Sequence, residues 1–129
     1  MAKQSKKGEF KPGEYLVNEA KKAVVYSVVA HGVVFVGTAK CGPHDIFDVE
    51  RGMAIAKIRA TIAQRKYDAE LTRQFIEDVK IAQSDVAEYN GGPVSPHYMR
   101  AIQTATEELK AQLSHIRDLE IRLIAYTQA

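Results

Sequence analysis

The chain has one cysteine, Cys41, in 129 residues. No intrachain disulfide can form, and a reducing compartment fits. No apolar run nears the ~20 residues that span a bilayer. The first residues also lack the apolar core of a secretory leader. The expectation is a cytoplasmic protein with no membrane partner. A strong charge of one sign is missing too. Eighteen Lys and Arg against 16 Asp and Glu leave a formal +2, and much of that excess sits in Lys3, Lys6, Lys7 and Lys11. Charge alone therefore does not demand nucleic-acid binding. Metal and nucleophile constellations are lacking as well. Cys41 and His44 stand three residues apart, but His31, His97 and His115 are scattered, and a zinc site needs three or four ligands. No nucleophile is paired with an oriented base. The chain is read as a non-enzyme with no metal and no cofactor.

What is present is an α+β pattern. Residues 1–13 form an expected flexible basic arm, and residues 14–129 one domain. Two Val-rich runs, AVVYSVVA and VVFVGTAKC, flank His31-Gly32, the pattern of a tight hairpin. Their near-continuous apolar character predicts a sheet covered on both faces, or by a helix on one face and a partner subunit on the other. A third strand is expected, because two alone are marginal; Tyr15, Leu16 and Val17 are candidates for a short strand or a helical turn. Gly42 and Pro43 stop the hairpin, and Asp48 is placed to cap a helix from Val49.

That helix carries two apolar faces. Met53, Ala56, Ala60 and Ala63 form a small-residue face suited to close approach of the hairpin, and Ile55, Ile58 and Ile62 a second, nearly opposite one. Beyond it, Leu71, Phe75, Val79, Ala82, Val86 and Tyr89 predict a buried stripe, with a break expected near Lys66–Asp68. Asn90-Gly91-Gly92-Pro93 ends the segment. Ser95-Pro96 restarts a helix that can run to the C-terminus, giving a helical hairpin with one long arm. Ile102, Leu109, Ile116 and Leu123 recur every seven residues on it. At 1.5 Å per residue, about 30 residues span ~45 Å, so part of this helix is expected to pack on another subunit.

The chemistry of interest is cationic. Arg51 sits in the first turn of the helix, where free N–H groups favour an anion. Arg59 lies about 80° around from it, so two guanidinium forks can converge on one phosphate. Asn90 and Gly91 offer an amide and accessible backbone, and His97 and Arg100 follow closely. The expected ligand site is Arg51, Arg59, Asn90, Gly91, His97 and Arg100. Asp45, Asp48 and Glu50 are read as capping and dipole-complementing carboxylates.

Gly37-Thr-Ala-Lys-Cys41, Pro43, Asp45, Phe47-Asp48, Gly52, Ala56 and Arg59-Ala60 together resemble a pattern in small phage and bacterial proteins. With the helical hairpin and the Asn-Gly-Gly turn, the layout is similar to the phage Thoeris anti-defence proteins that sequester cyclic ADP-ribose-type signals. The resemblance implies a small sheet with C-terminal helices, a homo-oligomer, a host-cytoplasmic location, and binding without cleavage. No binding residue of that family is carried over. The leading expectation is sequestration of a nucleotide-derived, phosphate-bearing ligand, cyclic ADP-ribose or a cyclic oligonucleotide. Nucleic-acid binding through the Lys arm and the basic flank of the helix, and protein inhibition through the helices, are the alternatives.

Overall fold

A computed structural model describes residues 4–5, 10–91 and 95–127, apart from the side chain of Asn90. Strands β1 (Tyr15–Asn18), β2 (Ala23–Ala30) and β3 (Val33–Lys40) precede helices α1 (Val49–Asn90) and α2 (Pro96–Thr127). The layout is the expected α+β one. The expected single domain is organised as two compact units, residues 1–64 with 117–129, and residues 65–116. Among the described residues no helix is long and apolar enough to cross a membrane.

In the first unit the strands pair antiparallel in the order β1-β2-β3. His31 and Gly32 both adopt positive φ, 54° and 73°, which matches a tight turn to the right-handed strand twist. Tyr15–Asn18 supplies the third strand. The arm is docked where it is described. The Ser5 backbone N–H donates to the Tyr15 carbonyl, and its hydroxyl donates to Glu14 at 2.7 Å. Lys3, Lys6 and Lys7 lie outside the described residues.

Register puts Tyr15, Tyr26 and Gly37 in one row and Val17, Val24 and Ala39 in the next. This face carries the core with Ala56 and Ala60, both fully buried. The small-residue face of α1 does approach closely. A Cβ on Gly37 would stand 1.9 Å from the Ala56 carbonyl oxygen and 2.5 Å from the Ala60 nitrogen. Ile58 and Ile62 turn the other way and pack with Leu119 and Leu123 of α2. Residues 49–64 thus form a central helix between sheet and helix. Ile55, expected with Ile58 and Ile62, packs against the sheet cluster instead, and the half-buried Phe47 packs on the same cluster. The outer sheet face leaves Val29, Val34 and Val36 about half exposed.

In the second unit α1 continues without the break expected near Lys66–Asp68. Gln64 to Ala69 holds neither glycine nor proline, and nothing there opposes helix propagation. The buried stripe also differs from the expected one. Ala69 and Ile76 are buried, whereas Leu71 and Phe75 are 43% and 49% exposed and Tyr89 protrudes. One residue step turns a helix by about 100°, and apolar spacing alone did not separate Phe75 from its neighbour Ile76. Gly91, at φ 62°, ends α1 in the left-handed conformation that glycine tolerates. Ser95 caps α2 through its hydroxyl, which accepts from the His97 N–H at 3.3 Å. Of the seven-residue positions of α2, Ile116 is buried, while Ile102, Leu109 and Leu123 are half-buried; Ala105 is buried beside them.

Candidate functional site

The hairpin ends at Lys40, and the chain must turn to enter α1. The turn is held by Lys22, a residue at φ 50° just before β2. Its carbonyl accepts from the Cys41 N–H at 2.8 Å. Its ammonium donates to the carbonyls of Asp45 at 2.8 Å and Pro43 at 3.3 Å. Cys41 adds a weak thiol bond to the Ile46 carbonyl at 3.5 Å. At the helix start, Asp48 accepts the Arg51 N–H at 3.1 Å. That is the expected N-cap, and it assigns this carboxylate a structural bond.

The loop and the first turns of α1 enclose a cavity of about 770 Å³ within the first unit. Arg51 and Arg59 both line it, with Lys40, His44, Asp45 and Asp48. Ala39, Phe47 and Ile55 supply an apolar wall. Each arginine is aimed by a backbone carbonyl. Arg51 donates through Nε to the Tyr126 carbonyl at 2.8 Å and through a terminal nitrogen to the same oxygen, a cation meeting the carbonyl end of a helix. Arg59 donates to the Thr38 carbonyl on β3 at 2.6 Å. Among the described residues Arg59 meets no carboxylate within ion-pair distance. A guanidinium has five N–H donors, so that one bond orients Arg59 without exhausting it.

His97 and Arg100 do not line this cavity. They line a groove of about 520 Å³ within the second unit, with Leu71, Phe75, Thr104 and Glu108. Gly91 is at the helix end, and the Asn90 side chain lies outside the described residues. Among the described residues no group of three His, Cys, Asp or Glu could hold a metal ion. The contributions of Lys40, Lys22 and the Phe47–Ile55 wall were not read from the sequence. Their signal is faint, since each depends on how the 41–48 loop folds back.

No protein-family model matches the chain, and comparison with curated proteins and with solved structures finds no match.

Proposed function

We propose that the chain binds, without cleaving, a nucleotide-derived ligand that carries phosphate, and that the cavity between the 41–48 loop and the first turns of α1 receives it. The observation that carries this reading is that Arg51 and Arg59 line one cavity with Lys40. Three cations there stand against two carboxylates, Asp45 and Asp48, and Asp48 is engaged in capping. Guanidinium forks match phosphate oxygens. The apolar wall of Phe47 and Ile55 suits a base or ribose face. The volume falls within the ~300–1,000 Å³ of small-molecule sites. Cyclic ADP-ribose-type and cyclic oligonucleotide signals are the ligands suggested by the resemblance to phage anti-defence proteins, and the sequestering role in a host cytoplasm comes from that resemblance alone. Self-association through the helices belongs to the same reading.

Native mass spectrometry of protein purified from cells tests it. A retained small ligand of nucleotide mass, recovered intact after denaturation, supports sequestration. A hydrolysed ligand makes the protein an enzyme. Binding of duplex or single-stranded DNA with a steep salt dependence, and no retained small molecule, replaces this reading with a nucleic-acid one.

A further inference from the structure

The second unit presents a groove that the ligand reading does not use. Leu71 and Phe75 of α1 form one wall, and both are about half exposed. Arg100, Thr104 and Glu108 form the other, spaced by four residues along α2 and all exposed. Among the described residues neither Arg100 nor Glu108 makes an ion pair. Thr104 is midway between them, about 6 Å along the axis from each at 1.5 Å per residue. The face is therefore charge-complementary to its own reverse.

We infer that this groove is a self-association face, in which a second copy of the chain docks antiparallel about a two-fold axis at Thr104. Arg100 then meets Glu108 of the partner subunit, and Glu108 meets Arg100 of the partner subunit. Such an isologous contact is the commonest form of oligomer symmetry. In the same register Glu107 and Lys110 fall opposite Ala101 and Tyr98 of the partner subunit, so neither meets a like charge on the facing α2. Leu71 and Phe75 of the two copies close over the centre and supply the apolar burial, and the four helical segments form a bundle. A foreign helix would need a cation and an anion at this same spacing in reversed order. The chain's own α2 already carries them.

Sedimentation equilibrium of the full chain at micromolar concentration is the test. The wild type is expected to be a dimer. R100E and E108R each turn two attractive contacts per dimer into two repulsive ones and should raise the dissociation constant at least tenfold. The R100E/E108R double variant should dimerise like the wild type, and an equimolar mixture of the two single variants should form heterodimers. Thr104→Arg, which sets two guanidinium groups against each other on the axis, should give a monomer with unchanged helical ellipticity. A monomeric wild type overturns the inference. So does a single reversal that leaves the dimer intact, a double reversal that fails to restore it, or a dimeric Thr104→Arg protein.

Discussion

Gly37→Ala is the substitution that most directly probes how the sheet and α1 are joined. The added methyl would meet the Ala56 carbonyl oxygen at 1.9 Å and the Ala60 nitrogen at 2.5 Å. Both are main-chain atoms inside a helix, so no rotamer change relieves the clash. Restoring even the 3.0 Å limit of real Cβ contacts requires α1 to retreat by about 1 Å, which opens the layer holding the fully buried Val24, Ala56 and Ala60. Overpacking of a core typically costs 1–3 kcal/mol. With backbone on both sides, a loss of about 3 kcal/mol or more is expected, against a total of ~5–15 kcal/mol for a typical domain. In urea, with a slope of ~1–3 kcal/mol per molar, the midpoint should fall by about 1–3 M. Ala56→Gly should not rescue the variant, because the opposing oxygen belongs to the backbone. A loss below about 0.5 kcal/mol, the range of ordinary surface changes, would refute the close approach.

Three other substitutions probe other links. Asp48→Ala removes the bond to the Arg51 N–H and should lower stability by about 0.5–2 kcal/mol, read by thermal melting, with Asp48→Ser close to wild type. Phe47→Ala should cost about 1–3 kcal/mol, below the ~3–5 typical of a fully buried phenylalanine, because Phe47 is half-buried. Burial, then the neighbouring Tyr26, raises the Tyr15 hydroxyl above its ordinary 10.0. The folded state holds that proton longer than the unfolded one. Its contribution is therefore full below pH 10 and lost as pH climbs through the folded value. Spectrophotometric titration should show a late-ionising tyrosine that Tyr15→Phe abolishes, together with a shallower alkaline loss of stability.

The parts of the fold legible in the sequence are those set by local rules. His31-Gly32 between Val-rich runs can hardly be anything but a tight turn; Asp48 and Ser95 cap helices through bonds to near neighbours, and Gly91 ends one in the left-handed conformation. Ala56 and Ala60, four apart on α1, announced close packing, although its partner, Gly37, became visible only with the register. The helices beyond residue 64 were less legible. There Leu71, Phe75 and Tyr89 satisfy the helical period as well as Ala69 and Ile76 do, and burial depends on which face meets α2. Likewise Ile116 is only 5% exposed, so Ile116→Asp tests folding and not assembly. At the site, the arginine pair was legible because eight residues along a helix leave the two side chains about 80° apart, near enough to converge. Lys40 was not, because the loop that closes the cavity beside it is held by Lys22, through bonds to the Cys41 N–H and to the Pro43 and Asp45 carbonyls, which no periodicity encodes.

The central claim is that Arg51 and Arg59 line a phosphate-binding cavity, and calorimetric titration of Arg59→Ala beside the wild type tests it most directly. Arg59 is exposed in the free chain, and losing its charge-assisted bond to a ligand costs roughly 1.5–3 kcal/mol, or about 10- to 150-fold in affinity. The expected result is that a cyclic ADP-ribose-type or cyclic oligonucleotide ligand binds the wild type, and binds the variant weaker by that factor, with sedimentation unchanged. Equal affinity of both proteins, or no heat with the wild type for any of these ligands, would contradict it.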